Sequence, residues 1–264
     1  MQLDKRRSII YRLFGAGNLD EVAIAYSVIG DQPGTMLDVG AQFGTSLAPF
    51  LEHGWTVYAF EPDPSNRAKL TSNYPKALVD PRAVSEIDGE TLPFFTSDVS
   101  TGISTLSPFH SSHKPTAEVK TVRLDTFIRD RGIEKVDFLK TDVEGFDLFA
   151  LRTFPWETHR PRAVVCEFED NKTRLLGYSS AELAEFLQEK GYAIIVSEWF
   201  PVIRYGGNHT WKQFKHYPTD IPGDSNGNFI AVEPRLLPQF DRACETVGRN
   251  YRGKRKAERL LRLT

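Results

Sequence analysis

Two carboxylates lie close together in the stretch FLKTDVEGFDLFAL, which spans residues 138–151. Asp142 ends an apolar run, and Glu144 precedes a glycine that opens a second apolar pattern. Acids at such a position can take a proton from a substrate, bind a divalent metal, or stabilise the N-terminus of the helix that follows. The choice among these three roles depends on what the rest of the chain binds.

The elements around this acid pair predict an α/β fold. From about residue 35 onward, short apolar runs alternate with helical patterns, as in a parallel sheet with crossover helices. KVDFLKTD and RAVVCEFE predict central strands, and GNFIAVEP is expected to add an edge strand. Ligands bind at the carboxyl ends of the strands in open α/β sheets, so Asp142, Glu144 and Glu167 are expected at one binding edge.

The chain is expected to form one main domain, since it has 264 residues and 40% hydrophobic content. The pattern predicts an N-terminal helical segment at residues 1–34, the α/β domain at 35–234, and a basic helical tail at 235–264. We expect the tail to be a surface helix that packs weakly, at a dimer contact or near an anionic substrate, or else to be disordered.

Charge and cysteine content narrow the class of protein. The 33 Lys and Arg residues balance 35 Asp and Glu residues, which gives no electrostatic reason to expect nucleic-acid binding. The two cysteines, Cys166 and Cys244, have no metal-type spacing. The N-terminal apolar run is too short for a signal peptide or a membrane span. A soluble, cytoplasmic protein is therefore expected.

A glycine loop, LDVGAQFGTS, joins the first predicted strand to a helix. Gln42 stands at the middle-glycine position of the dinucleotide fingerprint, where its side chain would obstruct a pyrophosphate. S-adenosylmethionine has no phosphate, and its ribose needs an acceptor such as Glu61, about twenty residues after Gly40 at the end of the second strand. The loop with Glu61 favours this cofactor over NAD or a flavin dinucleotide. The alternative for the loop alone is a tight strand-to-helix turn.

Six stretches follow one another over about residues 35–155, namely LDVGAQFGTS, VYAFEPDPSNRAKL, AVSEIDGE, GISTLSP, VKTVRLDTFI and DFLKTDVEGFDLFALR. In these residues and their order the chain resembles the FkbM family of S-adenosylmethionine-dependent methyltransferases. The resemblance implies a Rossmann-like methyltransferase fold, with a mostly parallel seven-stranded sheet and helices on both faces. It also implies methyl transfer to an oxygen atom, commonly a hydroxyl of a sugar or of a glycosylated or polyketide product.

Motif matching to this family assigns the cofactor contacts. The resemblance implies that the cofactor is held by Asp38, Gly40, Ala41, Phe43, Gly44 and Glu61, with the neighbouring Pro62. It places Arg82, Ala83 and Val84 near the adenine, and Ser104 and Thr105 close to the reaction centre. Asp142 ends the fourth core strand and is expected to face the methyl group.

Methyl transfer to a hydroxyl requires the attacking oxygen to lose its proton, to a general base or with the help of a metal. Asp142 and Glu144 are the candidate catalytic acids, although Glu144 can equally stabilise the following helix. A magnesium or manganese ion, if present, would be bound by Asp142, Glu144 and Glu167. We expect no obligatory metal, because the sequence offers one adjacent acid pair and only Glu167 as a third ligand.

The acceptor is expected to contact a long loop at about residues 198–226, which is rich in aromatic side chains. Aromatic faces pack well against C–H-rich rings, which favours a sugar. The candidate acceptor residues are Thr105, His113, Glu167, Trp199, Tyr205, His209 and Trp211. The alternatives are a lid packed on its own aromatics and a homodimer contact.

These patterns together predict an O-methyltransferase that modifies a hydroxyl of a saccharide or glycoconjugate. One alternative is an O-methyltransferase acting on a non-sugar natural product. Another is a non-catalytic Rossmann module that binds the cofactor, or only a partner protein. A module without catalytic activity would not need Asp142 and Glu144 beside an intact Glu61. The presence of these acids therefore distinguishes an enzyme from that last alternative.

Overall fold

The computed structural model describes residues 19–207 and 209–261. Residues 1–18 of the predicted N-terminal helical segment and residues 262–264 of the predicted tail lie outside this range. The elements in chain order are α1 (Glu21–Ile29), β1 (Thr35–Val39), α2 (Ala48–Glu52), β2 (Thr56–Phe60), α3 (Pro64–Asn73), β3 (Leu78–Asp80), β4 (Ala83–Val84), β5 (Thr91–Ser97), β6 (His113–Val122), α4 (Leu124–Asp130), β7 (Phe138–Thr141), α5 (Asp147–Arg152), β8 (Ala163–Glu169), α6 (Asp170–Thr173), α7 (Ser180–Glu189), β9 (Ala193–Trp199), β10 (Trp211–His216), β11 (Asn226–Val232) and α8 (Leu237–Leu261).

The main sheet has eight strands within the described residues, in the order β10-β9-β11-β8-β7-β1-β2-β3. Strands β3, β2, β1, β7 and β8 pair in parallel, whereas β11 runs antiparallel to both β8 and β9, and β10 antiparallel to β9. The expectation of seven strands is wrong. The additional strand is β10, which lies inside the segment 198–226 that was expected to be one long loop. Trp211 of β10 is buried, and this apolar anchor explains why the segment pairs with the sheet.

The stretch GNFIAV forms β11, which lies between β8 and β9 and not at an edge, so the prediction of an edge strand is wrong. Phe229 of β11 faces Cys166 of β8 and Val196 of β9 in the two ladders. The strand is buried almost throughout, because it is covered on both faces. Its second half, FIAV at residues 229–232, is an uninterrupted apolar run of the kind found in strands that are buried on both faces.

A smaller sheet of three strands, in the order β4-β6-β5, lies beside the main sheet in the described part of the chain. Strands β5 and β6 pair antiparallel, and the segment after β5 returns to form a bridge between Thr105 and Phe95. Of the strands between β2 and α4, β3 therefore belongs to the main sheet, and β4, β5 and β6 form the smaller one. The smaller sheet supplies one wall of the site described below.

Helices cover both faces of the main sheet, as expected. On one face α4, α5 and α7 bury Phe127, Leu151 and Leu187. Helix α7 begins with a capping box formed by Ser179 and Glu182. None of the helices in the described residues combines the length and the apolar character needed to cross a membrane.

The opposite face is covered by α1, α2 and α8. The first half of α8 buries Phe240, Cys244 and Val247 in this core. A helix with such a buried stripe does not pack weakly, so the expectation of a loosely attached tail is wrong for this half. The C-terminal basic part of α8 is mostly exposed as far as residue 256.

Candidate active site

The turn after β1 touches the turn after β7. Gly40 has a φ of 82°, and a Cβ at this position would overlap the backbone carbonyl oxygen of Asp142. Gln42 has a φ of 48°, a left-handed conformation that is uncommon for a residue with a side chain. Strained backbone of this kind is concentrated at functional sites. Gly40 is therefore required by the contact between the two strand ends.

Glu61 follows β2 and is bonded to the same glycine loop. Its Oε2 accepts a hydrogen bond of 2.7 Å from the Gln42 amide, and its Oε1 accepts one of 2.8 Å from the Asp63 amide. Burial raises the pKa of Glu61 to about 7, despite these two bonds. Each carboxylate oxygen keeps a lone pair that can accept a hydroxyl.

A cleft opens at the carboxyl ends of β1 and β2, and we call it the β1–β2 cleft. Its apolar wall includes Val39, Phe60, Val84, Phe94, Leu106 and Val143. Most of the predicted cofactor contacts line it, together with both acids of the opening stretch: Gly40, Glu61, Pro62, Arg82, Ala83, Val84, Ser104, Thr105, Asp142 and Glu144.

The remaining predicted cofactor residues lie outside the described lining of this cleft. Asp38 is fully buried and accepts a hydrogen bond of 2.6 Å from the Ser46 hydroxyl. Phe43 packs under the ammonium of Lys69, 4.6 Å from the ring centroid. Gly44 faces Leu70 of α3, where a Cβ would clash. These residues support the loop from behind.

Ala41 lines a neighbouring cleft of about 250 Å³, which we call the α1 cleft because Asp20 and Glu21 at the start of α1 form part of it. The α1 cleft shares Gly40, Gln42 and Asp142, as well as Gly102, with the β1–β2 cleft. The two clefts therefore meet at the glycine loop.

Lys140 is a buried residue of this region that the sequence interpretation missed. Its Nζ donates to the Gly40 carbonyl at 2.9 Å and lies 3.3 Å from Asp38 Oδ1 and 3.5 Å from Asp142 Oδ2. Burial alone would lower the pKa of Lys140, but the charges of Asp38 and Asp142 raise it above its usual value. A lysine inside the apolar strand FLKT was the available signal, because buried lysines need acidic partners.

Glu144 is not a helix cap. Helix α5 begins at Asp147 with Phe146 at the N-cap and has no side-chain cap. Glu144 itself has a φ of 56°, and its buried side chain pairs with Lys172 of α6, with Oε2 at 2.6 Å from Nζ. The helix-stabilising alternative for Glu144 is therefore wrong, and burial together with nearby acids raises the pKa of its carboxyl.

A third cleft of about 400 Å³ lies beside β8 and β11, and we call it the β8–β11 cleft. Four predicted acceptor residues line it, namely Glu167, Trp199, Tyr205 and His209, along with Asn226 and Asn228. Glu144 and Gly102 line both this cleft and the β1–β2 cleft. Glu144 is thus positioned at the junction of the two spaces.

Two other predicted acceptor residues lie outside the described lining of both clefts. The ring of His113 donates from Nε2 to the Ile103 carbonyl at 2.7 Å and accepts backbone amides at Nδ1, so it holds its own loop together. Burial lowers the pKa of His113. Trp211 packs against Gly248 and Tyr251 of α8 in the core. Thr105 lines only the β1–β2 cleft and donates to the Glu144 carbonyl at 3.4 Å.

Lys172 is the second lysine that the sequence interpretation missed. It lies in the one-turn helix α6, with Nζ at 2.9 Å from both carboxylate oxygens of Glu167 and 2.9 Å from Glu169 Oε2. Tyr205 donates its hydroxyl to Glu169 Oε1 at 2.6 Å. Burial alone would lower the pKa of Lys172, but the surrounding carboxylates raise it well above its usual value.

The acids of the two clefts also form a cluster of the kind that binds hard cations. Asp142, Glu144 and Glu167 each offer a carboxylate oxygen, and these atoms lie within 4.8 Å of one another. Oxygen donors of this type suit magnesium or manganese. The ammonium of Lys172 already contacts two of the three carboxylates.

Several solved structures of methyltransferases resemble this chain at low sequence identity. A precorrin-6y C5,15-methyltransferase from Geobacter metallireducens GS-15 is 12% identical, covering 80% of this chain and 87% of that chain at a TM-score of 0.40. An rRNA methylase from Streptococcus thermophilus is 8% identical, with coverages of 81% and 94% and a TM-score of 0.44. A magnesium protoporphyrin IX methyltransferase from Synechocystis PCC 6803, solved with bound S-adenosylmethionine, is 12% identical, with coverages of 86% and 90% and a TM-score of 0.37. No curated protein sequence matches. A family profile for the methyltransferase FkbM domain matches residues 38–194.

Proposed function

Because the chain belongs to the FkbM methyltransferase family and is a methyltransferase, we propose that it methylates a hydroxyl of a saccharide or glycoconjugate, using S-adenosylmethionine. The observation that carries this proposal is the position of Glu144. Its carboxylate lies where the β1–β2 cleft meets the β8–β11 cleft, so one group can serve a reaction between ligands in the two spaces.

The β1–β2 cleft fits a nucleoside without phosphates. Apolar side chains form its wall, and Glu61 supplies an acceptor for ribose hydroxyls at the end of β2. Gln42 occupies the turn where a dinucleotide would need bare backbone. The adjoining α1 cleft has space for the amino-acid end of the cofactor near Lys140 and Asp20. When bound, the cofactor supplies a methyl group on a positively charged sulfur.

In the proposed reaction, the protein's own side chains remove the proton from the acceptor hydroxyl. Lys172 engages Glu144 through Oε2, which leaves Oε1 to accept the proton of an acceptor hydroxyl. The raised pKa of Glu144 suits a base that works near neutral pH. Asp142 lies on the cofactor side, where it faces Lys140 and lines the β1–β2 and α1 clefts. We assign it to positioning the reacting groups.

The β8–β11 cleft suits a polyhydroxylated acceptor. Trp199 and Tyr205 offer aromatic faces for the C–H side of a sugar ring. His209, Asn226 and Asn228 offer polar groups for its hydroxyls. A non-sugar natural product with a similar pattern of hydroxyls would use the same contacts, and only an acceptor panel separates the two classes.

The test is methyl transfer from radiolabelled S-adenosylmethionine to a panel of monosaccharides, glycolipid precursors and hydroxylated aromatic natural products. We expect label in at least one saccharide, in an ether linkage stable to base. The matched control is Glu144→Gln, which keeps size and hydrogen bonding and should lose the product. Label confined to non-sugar acceptors would support the alternative substrate class. Binding of S-adenosylmethionine without transfer to any acceptor would favour the non-catalytic module.

A further inference from the structure

Lys172 is surrounded by three carboxylates from two separate parts of the chain. Glu167 and Glu169 belong to β8, and Glu144 to the turn after β7. The Lys172 side chain is 3% exposed, and its Nζ lies within 2.9 Å of an oxygen of each glutamate. Its Nζ donates hydrogen bonds to both oxygens of Glu167 and forms ion pairs with Glu144 and Glu169, so the charge of the buried ammonium is compensated by carboxylates.

The position of this ammonium overlaps with that of a potential metal site. A divalent ion bound by Asp142, Glu144 and Glu167 would need an oxygen of Glu167, and both of these oxygens now accept a hydrogen bond from Lys172 Nζ. A divalent ion on these oxygens would lie close to the buried ammonium, and the two positive charges would repel each other strongly at such a short distance. The lysine and a metal are therefore mutually exclusive occupants of the cluster.

We propose that Lys172 is the built-in cation of the acceptor site: its ammonium holds Glu144 and Glu167 where a divalent metal would otherwise bind, and its removal opens a metal site in this protein. The ammonium is attached to the chain, so it cannot be removed by a chelator. Lys172 acts through Glu144 and is a positioning residue. Its catalytic consequence rests on the proposed function, whereas the binding of metal to the altered cluster does not.

The direct test is a titration with Mn²⁺ in which electron paramagnetic resonance measures the concentration of the free ion. Lys172→Met removes the charge and keeps an unbranched side chain, and we expect this variant to bind one Mn²⁺ per chain with at least tenfold higher affinity than the wild type. Lys172→Arg keeps the charge and should resemble the wild type. Adding Glu167→Gln to Lys172→Met should abolish the new site. Lys76→Met removes an exposed lysine and serves as the matched control.

Several results would overturn the inference. One is a wild-type protein that binds one Mn²⁺ per chain and loses it in Glu167→Gln. Another is a folded Lys172→Met protein that binds no more Mn²⁺ than Lys76→Met. If the Met variant does not fold, Lys172→Gln and the wild-type titration decide the question in the same way.

The catalytic consequence has its own readout. Wild-type methyl transfer should be unchanged by a chelator, and transfer by Lys172→Met should be low in its presence and recover at least tenfold with Mn²⁺. Lys172→Arg should retain transfer without metal, because this variant keeps the positive charge. If the site needed only the shape of the lysine side chain, arginine would not support transfer. A wild-type enzyme without any methyl transfer would refute the proposed function while leaving the Mn²⁺ result intact.

Discussion

The Oε2 atom of Glu61 accepts a 2.7 Å hydrogen bond from the backbone amide of Gln42. This bond joins the end of β2 to the glycine loop that follows β1, so the acid and the loop form one unit. The loop conformation at Gln42 is left-handed, and the carboxylate of Glu61 helps to satisfy the amide exposed by that turn. A change at Glu61 should therefore affect both the ligand and the loop.

Cofactor affinity should depend on pH through Glu61. The pKa of this carboxyl is raised to about 7, so the charged form that accepts ribose hydroxyls accumulates only as the pH rises through that value. We expect S-adenosylhomocysteine to bind about tenfold more tightly at about pH 8 than at about pH 6, the factor by which the ionised fraction grows. Calorimetry at both values measures this. Glu61→Gln should flatten the dependence, and a flat wild-type profile would contradict the assignment.

Gly40→Ala should destabilise the protein more than a matched change at Gly89. Both glycines have positive φ, 82° and 73°, but a Cβ at Gly40 overlaps the Asp142 carbonyl whereas one at Gly89 meets nothing within 4 Å. The conformational strain alone should cost about 1 to 2 kcal/mol in Gly89→Ala. Overlap should add about 1 to 3 kcal/mol in Gly40→Ala. Urea unfolding measures the free energy of unfolding of the two variants. Equal losses of stability would show that the turn after β1 can move away from the turn after β7 without cost.

Glu144→Gln and Asp142→Asn should have different effects on methyl transfer and on cofactor affinity. The first removes the proposed base and should lower kcat about a hundredfold or more, with unchanged affinity for S-adenosylhomocysteine. The second removes a partner of Lys140 beside the cofactor, so it should weaken cofactor binding as well as transfer. Steady-state kinetics and calorimetry on both variants separate the two roles. Full activity in Glu144→Gln would end its assignment as the base.

Shortening the chain should reveal where α8 contributes to stability. A chain ending at Gly253 retains Phe240, Cys244 and Val247, which lie in the core, and should unfold like the full-length protein. A chain ending at Glu233 loses all three, and the loss of a buried phenylalanine alone costs about 3 to 5 kcal/mol. Thermal unfolding of the two chains tests this. Equal stability would show that the helix does not support the sheet.

Much of the site was predictable because it depends on local chain order. Gly40 and Glu61 follow strands that are neighbours in sequence, and a right-handed crossover places such strands side by side. The two acids of the opening stretch follow β7, which pairs with β1, so their place at the same edge also followed from the strand pattern. Most of the predicted cofactor residues consequently line one cleft.

The acceptor side was less predictable, since its residues come from a segment whose side chains divide between cleft and core. Trp199 and Trp211 stand in paired positions of β9 and β10, yet Trp199 lines the β8–β11 cleft and Trp211 packs on α8. Their sequence surroundings are alike in aromatic content. The difference depends on where α8 lies against the sheet, which no local pattern encodes.

The sequence by itself determined the α/β class, the cofactor loop and the pairing of that loop with Glu61, because strand periodicity, glycine positions and crossover handedness are properties of consecutive residues. Only the tertiary structure decided the surroundings of Glu144, on which its proposed role as a base rests. A helix cap, a metal ligand and a base share the same residue type and spacing. The contact that bears on these roles is the one with Lys172 of α6, whose buried ammonium lies 2.6 Å from Glu144 Oε2 among carboxylates and is far from Glu144 in sequence.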